Sequence, residues 1–245
     1  MRQYFAVNKE GDYFTFNEGD DHHILNVLRL KNNDEIYVNY ESKTYLCTLE
    51  ISEQVKALIS SETNIDNELP SKINLVYALV KGDKFDLVVQ KTSELGVSRI
   101  IPFDAKRSVV KIDKKKQDAK VARWQKIAIE ACKQSNRSSL VEVTSIATLK
   151  ELVKYKSELN LIAYESASEV NTSILYSLLK KQYNDITLVV GPEGGFSESE
   201  VEFLKDNDFI EVSLGKRILR SETAPIYLLS VISFMLERGS NDEEI

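Results

Sequence analysis

Two short apolar runs, each ending at a glycine, mark the C-terminal part of this sequence. Residues 186–190 lead into G-P-E-G-G-F, and residues 209–214 lead into G-K-R-I-L-R-S-E-T. Strands that end in glycine-rich loops ahead of helices are where α/β sheets bind ligands. We therefore expect the stretch 189–225 to form a ligand site and the rest of the chain to be organised around it.

From residue 73 onward, apolar runs of strand length alternate with amphipathic helical segments. The expected strands are 73–80, 97–103, 159–164, 186–190 and 209–214, and the expected helices are 83–95, 117–134, 173–182, 198–206 and 224–238. Strand–helix repetition of this kind predicts an α/β domain with a parallel sheet that is covered on both faces.

The N-terminal part has a different pattern, typical of a small and mainly β module. Strands are expected at 4–7, 13–16, 36–39 and 44–51, with a turn at 8–12, a hairpin turn at 40–43 and a helix at 20–30 capped by Asp20 or Asp21. The polar segment 60–72 has the composition of a linker. We therefore predict two domains, residues 1–68 and residues 72–245.

Charge is distributed unevenly along the chain. Residues 99–137 contain twelve Lys or Arg and four Asp or Glu, a net charge of +8, which leaves −14 elsewhere in a chain of net charge −6. A basic zone on an acidic protein is a candidate contact surface for nucleic-acid phosphates. A solvated helix face followed by a charged loop would account for the same pattern.

Several classes of protein are disfavoured by what the sequence lacks. No apolar run approaches the roughly 20 residues that a membrane helix needs, and the first residues lack the apolar core of a signal peptide, so a cytoplasmic location is expected. With only Cys47 and Cys132, a disulfide framework or a cysteine-ligated metal is not expected. His22 and His23 are adjacent, so their side chains point apart on a helix, and a surface or capping role is expected instead of a metal site.

The first glycine loop has features of a backbone-lined site. Gly194 and Gly195 permit positive φ and a close approach of the backbone to a ligand, and Ser197 with Glu200 forms a capping box that starts the next helix. The loop matches neither the phosphate-binding P-loop nor the Rossmann fingerprint. A tight strand-to-helix connection without a ligand is the alternative.

The second loop is harder to explain by structure alone. Lys216, Arg217, Arg220 and Glu222 lie within seven residues. The start of the last helix accounts for an acid such as Glu222, because a carboxylate is favourable at the positive end of the helix dipole. It does not require basic side chains on both sides of an apolar Ile-Leu pair.

Taken together, G-P-E-G-G-F-S-x-x-E followed by L-G-x-R-I-L-R-S-E-T-A resembles the signature of the bacterial 16S rRNA (uracil(1498)-N(3))-methyltransferase family, which are knotted methyltransferases of the SPOUT class. Further blocks at 23–30, 81–97 and 123–137 match in the expected order, so the resemblance spans almost the whole chain. Two departures are Asn136, where glycine is expected, and Gln3, where relatives often carry a basic residue.

The resemblance implies an N-terminal PUA-like β-barrel that binds RNA and a SPOUT-type α/β domain with a C-terminal trefoil knot. It also implies a homodimer, S-adenosylmethionine as the methyl donor, no metal, and one uridine in the decoding region of 16S rRNA as the target. A ribose 2'-O methyltransferase of the same class remains an alternative, although R-S-E-T differs from the Asn/Ser-rich third motif of ribose-directed relatives. The other alternative is a non-catalytic RNA-binding assembly factor.

The resemblance also assigns residues to roles. Cofactor contacts are expected from the two loops and the start of the last helix, at Gly191, Glu193, Gly194, Gly195, Leu214, Gly215, Ile218, Leu219 and Thr223. We hypothesise that Arg220 stabilises negative charge on the uracil oxygens and that Glu222 accepts the N3 proton. Helix capping or a dimer contact is the alternative for Glu222. RNA contacts are expected from Arg29, Lys81, Arg107, Arg123 and Arg137.

Overall fold

The structure, a computed structural model, describes residues 1–164 and 169–239, with the side chains of 169–173 excepted. The chain divides into two compact units. The first comprises Met1–Glu68 with Cys132–Leu140, and the second comprises Leu69–Ala131 with Val141–Ile245. The domain limits 1–68 and 72–245 stay a prediction, and the return of the chain to the first unit at 132–140 has no signal in the sequence pattern.

The first unit is built on a six-stranded sheet. Its strands are β1 (Gln3–Phe5), β2 (Asn8–Glu10), β3 (Tyr13–Thr15), β4 (Glu35–Tyr40), β5 (Lys43–Ile51) and β6 (Val55–Glu62), in the order β1-β4-β5-β6-β3-β2. All neighbours are antiparallel except β1 and β4, which are parallel. Alternate residues of the strands, among them Phe14, Ile36 and Leu49, are fully buried in one core. This is the PUA-like, barrel-like sheet that was expected.

The helix of the first unit differs from its prediction. It begins as α1 (Glu18–His22) and continues as a π-helical segment over His23–Val27. Its N-cap is Asn17, whose side-chain oxygen accepts the backbone N–H of Asp20 at 2.9 Å. Asp20 is therefore not the cap; its carboxylate is buried and paired with Lys133 at 2.5 Å.

Two further predicted segments are shorter than expected. The expected turn at 8–12 consists of strand β2 followed by a tight turn. The strand was missed because all three of its residues are exposed, so the sequence shows no alternation of apolar and polar residues there. The expected linker at 60–72 is shorter than predicted, because β6 runs to Glu62 and the next strand starts at Lys72. Strand β6 itself was not predicted.

The second unit confirms the parallel α/β arrangement. Its elements are β7 (Lys72–Ala78), α2 (Lys84–Glu94), β8 (Arg99–Phe103), α3 (Lys114–Gln134), β9 (Glu142–Val143), a 3-10 helix (Leu149–Tyr155), β10 (Leu159–Ala163), α4 (Glu169–Leu179), β11 (Asp185–Val190), α5 (Glu198–Asp206), β12 (Ile210–Val212) and α6 (Thr223–Gly239). Of these, β9 and the 3-10 helix were missed. Strand β9 has only two residues, too few to show a period, and the 3-10 helix was overlooked although it opens with a capping box at Thr148 and Glu151.

Strand order explains where a ligand site can form in the second unit. The sheet runs β12-β10-β11-β7-β8-β9, and every neighbouring pair is parallel. The carboxyl ends of β10, β11 and β12 are therefore adjacent, so the loops that follow them converge at one edge of the sheet. Buried side chains from Val76, Ile101, Ile162 and Val189 pack into a core on this sheet. The trefoil knot depends on how the chain threads, which strand order does not define, and it stays a prediction.

None of the helices within residues 1–164 and 169–239 combines the length and apolar character needed to cross a membrane.

Candidate active site

A cavity of about 440 Å³ lies at the carboxyl ends of β10, β11 and β12. This volume is within the range of roughly 300–1,000 Å³ that is typical of small-molecule sites. Its walls are formed by the two predicted loops, by the residues that end β10, and by one side chain from α2. The lining residues are Lys84, Ala163, Tyr164, Val190, Gly191, Pro192, Glu193, Gly195, Phe196, Ser213, Leu214, Gly215, Lys216, Arg217, Ile218, Leu219, Arg220, Ser221 and Ala224.

Two glycines shape the first loop where it lines the cavity. Gly195 has φ +66°, and a Cβ built there would meet no atom within 4 Å, so it would project into open space. Gly191 lies flat against the buried ring of Phe196, where a Cβ would come within 3.0 Å of the ring. Gly195 therefore keeps the cavity open, and Gly191 allows the loop to pack closely on its own aromatic residue.

Gly194 packs against the basic zone. It does not line the cavity; a Cβ at this position would come within 3.3 Å of the Arg107 Cβ and of the Arg107 carbonyl oxygen. The glycine therefore allows the basic segment that carries Arg107 to pack against the first loop.

The second loop supplies most of the charged groups. Gly215 has φ +109° with open space where a Cβ would stand, so this turn also favours glycine. Ile218 lines the cavity and is 83% exposed, so its apolar side chain is available to cover a ligand. Arg220 is exposed at the cavity wall, and Leu214 and Leu219 are half-buried beside it.

Lys84, in the first turn of α2, was not predicted as a site residue. Its Nζ lies 3.2 Å from Glu193 Oε1 in the first loop and 3.2 Å from Glu222 Oε2 at the end of the second loop. The hydrogen bond with Glu193 contributes most to raising the pKa of Lys84, and the hydrogen bond with Glu222 contributes next. One ammonium therefore connects both loops to a third element of the fold.

Glu222 does not line the cavity, but it contacts two residues that do, Lys84 and Ser221. Its side chain is 15% exposed, and one carboxylate oxygen accepts a hydrogen bond from Ser221 Oγ at 3.1 Å. Burial acts to raise the pKa of Glu222, but a backbone N–H and the contacts with Lys84 and Ser221 outweigh it, so the pKa is lowered. Glu222 is therefore a carboxylate at neutral pH.

An aromatic stack lies at the start of α2, next to Lys84 in sequence. The Tyr77 ring stacks on Phe85 with centroids 5.2 Å apart, and Phe85 packs on Trp124 at 4.1 Å. Burial raises the pKa of Tyr77, whose hydroxyl lies near Ser221 and forms no well-aligned hydrogen bond with any described residue. The stack fixes the start of α2, and with it Lys84, against the end of β7.

Most of the residues predicted to contact the cofactor converge on the cavity. Gly191, Glu193, Gly195, Leu214, Gly215, Ile218 and Leu219 line it, whereas Gly194 and Thr223 do not. Of the two residues predicted to act on the acceptor base, Arg220 lines the cavity, whereas Glu222 does not line it but contacts Ser221, which does. The individual contacts remain predictions.

The predicted RNA contacts comprise four exposed residues and one buried residue. Arg29, Lys81 and Arg107 are exposed. Arg123 is exposed too, but its guanidinium pairs with Asp86 and lies 3.9 Å from Asp83. Arg137 is 3% exposed, so it does not present a free guanidinium to a phosphate.

Glu68 accounts for the burial of Arg137. It accepts a hydrogen bond from Arg137 Nε at 3.1 Å and from the backbone N–H groups of Ser138 and Ser139 at 2.9 and 3.0 Å. The structure therefore gives Arg137 a role in holding the segment 132–140 on the first unit.

The sequence contained signals for two of the residues that were missed. Lys84 places a cation in the first turn of a helix, where the macrodipole disfavours it, and such a position calls for a specific partner. Tyr164 directly follows β10, and a strand end next to two glycine loops is where a site is expected. No cluster of three or more His, Cys, Asp or Glu able to hold a metal occurs among the residues that the structure describes.

This fold and site define an RNA methyltransferase with a PUA domain. The family model described as RNA methyltransferase domain matches residues 67–233, and the model described as RNA methyltransferase PUA domain matches residues 16–59. The ribosomal RNA small subunit methyltransferase E of Bacillus subtilis is 37% identical over 244 residues, covering 96% of this chain and 95% of the relative. The chain belongs to the ribosomal RNA small subunit methyltransferase E family.

Solved structures agree with this assignment. The enzyme of that name from Neisseria gonorrhoeae, crystallised with S-adenosylmethionine, has a TM-score of 0.82 and 29% identity, covering 96% of this chain and 98% of that one. A methyltransferase of Legionella pneumophila with the same bound cofactor has a TM-score of 0.82 and 32% identity, covering 95% and 96%.

Proposed function

We propose that this chain transfers a methyl group from S-adenosylmethionine to N3 of one uridine, of the 1498 type, in the decoding region of 16S rRNA. The observation that carries the proposal is the cavity at the ends of β10, β11 and β12, with its glycine-rich walls and with Arg220 and Glu222 at one corner. The near full-length similarity to relatives named for small-subunit rRNA supports the choice of RNA.

The cavity residues fit the cofactor. Gly195 and Gly215 leave backbone groups accessible, as an adenine that is recognised by backbone N–H and C=O groups requires, and Leu214, Ile218 and Leu219 supply apolar surface for its ring. When bound, S-adenosylmethionine supplies an electrophilic methyl group on a sulfonium sulfur. Holding the acceptor in line with that methyl would provide much of the rate acceleration.

The acceptor requires two further contributions from the protein. Uracil N3 carries a proton that must leave, and the resulting negative charge spreads onto O2 and O4. Arg220, exposed at the cavity wall, stabilises this charge. Glu222, which is ionised and accepts a hydrogen bond from Ser221, accepts the proton through a water molecule.

Two variants test these roles. Glu222→Gln keeps the shape of the side chain but removes its basicity, and Arg220→Ala removes the cation. We expect each to lower methyl transfer about 100-fold or more, as general-base and electrostatic contributions typically do, while the cofactor dissociation constant measured by calorimetry stays within about threefold of wild type. Full methyl transfer by either variant would exclude the role assigned to that residue.

The methylated product distinguishes this function from the two alternatives. Mass analysis of digested small-subunit rRNA from a deletion strain, with and without the restored gene, is expected to show one base methyl that depends on the gene. A methyl on a ribose would identify a 2'-O methyltransferase. Cofactor-independent RNA binding with no change in rRNA would identify an assembly factor.

We further propose that the first unit contacts the RNA through Arg29 and that the second unit contacts it through Lys81 and Arg107. All three side chains are exposed. A cytoplasmic homodimer is proposed as the working form. In α6, Tyr227 and Phe234 are 41% and 58% exposed and lie seven residues apart, on one face of the helix, as an apolar contact between two copies would require. Light scattering coupled to size exclusion is expected to give twice the chain mass, and a Phe234→Glu variant is expected to be monomeric.

A further inference from the structure

The two carboxylates at the corner of the cavity share one counter-charge. Glu193 Oε1 and Glu222 Oε2 each lie 3.2 Å from Lys84 Nζ, although the three residues belong to the loop after β11, the end of the second loop and the start of α2. Lys84 is thus the side chain through which the first loop, the second loop and the cavity wall meet.

The ionisable groups around Glu222 give Lys84 a distinct role. From β7, the Tyr77 hydroxyl is buried and neutral. From the first loop, Glu193 brings a second negative charge. From its own loop, Arg220 is exposed at the cavity wall and makes no ion pair with Glu222 among the described side chains. Lys84 is therefore the cation in direct contact with Glu222 in the described structure.

We propose that Lys84 is a positioning residue for the methyl-transfer reaction: it holds Glu222 as a carboxylate beside the cavity and binds it to the first loop through Glu193. This role rests on the proposed function of Glu222 as proton acceptor. Lys84 itself takes no proton from the substrate.

The physical argument concerns two negative charges held close together. Carboxylates that share a site favour protonation of one of them, whereas an ammonium between them favours the ionised form of both. Without Lys84, Glu222 would take up a proton at higher pH, and the loop that carries Glu193 would lose its tie to Glu222. Both changes reduce the fraction of molecules in which Glu222 is ionised and correctly placed.

The control lies on the same helix. Lys91 in α2 pairs with Glu94 at 2.9 Å and is 41% exposed, compared with 37% for Lys84. Lys91→Met therefore makes the same chemical change at similar exposure but away from the cavity. Lys84→Arg is the conservative variant, because it keeps the cation.

The first measurement does not depend on activity. The Glu222 carboxyl carbon is followed by NMR in protein labelled with ¹³C at glutamate, and its signal is assigned by its loss in Glu222→Gln. In Lys84→Met the titration midpoint of Glu222 is expected to move to higher pH, whereas in Lys84→Arg and Lys91→Met it stays near wild type. Adding Glu193→Gln to Lys84→Met is expected to move the midpoint partly back, because the repelling charge is gone.

The second measurement is methyl transfer. Lys84→Met is expected to lower kcat about tenfold or more, because displacing a catalytic group by about an ångström can cost as much as 100-fold. The KM for RNA is expected to stay within twofold, and Lys84→Arg to restore most of the rate. A rate defect with an unchanged Glu222 titration would overturn the proposal, and so would an unchanged kcat.

The outcomes separate this inference from the proposed function. If wild-type protein methylates no rRNA, the proposed function fails, while the NMR titration still decides whether Lys84 controls the charge of Glu222. If wild type is active and Glu222→Gln is fully active as well, Glu222 is not the proton acceptor, and the role of Lys84 fails with it.

Discussion

Glu200 accepts a hydrogen bond from the backbone N–H of Lys106 at 2.7 Å, although the two residues are 94 positions apart. The other carboxylate oxygen of Glu200 accepts from the backbone N–H and the hydroxyl of Ser197, at 2.8 and 2.7 Å, which closes the capping box of α5. Since Arg107 also packs on Gly194, the basic segment and the first glycine loop share one anchor. The segment around Arg107, which is proposed to contact RNA, is therefore packed against and hydrogen-bonded to the first glycine loop and the start of α5.

Glu200→Gln is expected to weaken this anchor. Glu200 is 3% exposed and accepts three hydrogen bonds, whereas the glutamine amide would bring a donor against one of the N–H groups. Leaving buried polar groups unpaired costs about 1–3 kcal/mol, so urea denaturation is expected to show a loss of that size. The matched control is Glu198→Gln, an exposed residue in the same first turn of α5. Equal unfolding free energies for the two variants would contradict the anchor.

Gly195→Ala is expected to weaken cofactor binding more than it weakens the fold. Gly11 is the control. The two glycines have similar φ angles, +60° for Gly11 and +66° for Gly195, and both have open space where a Cβ would stand, but Gly11 lies in the first unit. Both substitutions strain the backbone and are expected to cost about 1–2 kcal/mol of stability. Of the two glycines, Gly195 lines the cavity and Gly11 does not. Calorimetry is expected to show at least a tenfold rise in the dissociation constant for S-adenosylmethionine in Gly195→Ala and none in Gly11→Ala.

The two glycine loops were predictable because their signal is local. Gly195 and Gly215 have positive φ, and the apolar runs before them form β11 and the short strand β12. The capping box at Ser197 and Glu200 correctly placed the start of α5. Short-range chemistry of this kind is encoded within a few residues, so reading it requires no knowledge of the rest of the fold.

The missed features depend on partners distant in sequence. Arg137 was predicted to contact RNA because it is a cation in the basic zone. In the structure its guanidinium is buried and pairs with Glu68, 69 residues earlier. Lys84 faces Glu193 across 109 residues, and only the order of strands in the sheet brings them together. The second hydrogen bond of Glu200, to Lys106, was hidden for the same reason, although its role as a cap was evident.

Cys47 is expected to be chemically inert in the folded protein. Both cysteines are buried and neither forms a disulfide, and burial raises the pKa of the Cys47 thiol to about 12. Because this pKa lies above the unfolded value of about 8.5, the protonated thiol stabilises the fold below that pH, and this contribution is lost as pH rises toward the folded value. Ellman's reagent is expected to react only upon unfolding. In Cys47→Ala, the decline of unfolding free energy with pH is expected to be shallower between about pH 9 and 11; rapid reaction of the native protein would contradict the assignment.

Arg137→Ala is expected to destabilise the first unit. Removing the arginine leaves Glu68, whose side chain is 20% exposed, without the cation that neutralises it. Breaking a buried pair in this way typically costs about 3–5 kcal/mol. Denaturant unfolding measures the loss. If Arg137→Ala unfolds like wild type but binds RNA less tightly, the structural role given to Arg137 is wrong.

Arg107→Ala is expected to affect RNA binding without a comparable loss of stability. Arg107 is exposed, and among the described residues its side chain makes one polar contact, a long hydrogen bond of 3.4 Å to the Gly194 carbonyl oxygen. A cation that contacts a phosphate releases a counterion from the RNA. Removing the arginine is therefore expected to reduce the magnitude of the slope of log affinity against log salt by about 1. Lys205→Ala is the control, since it removes an exposed cation that pairs with Glu211. Filter binding to a small-subunit rRNA fragment at several salt concentrations measures both slopes. The same slope for Arg107→Ala and Lys205→Ala would place Arg107 outside the RNA interface and leave Gly194 as its only partner in the described structure.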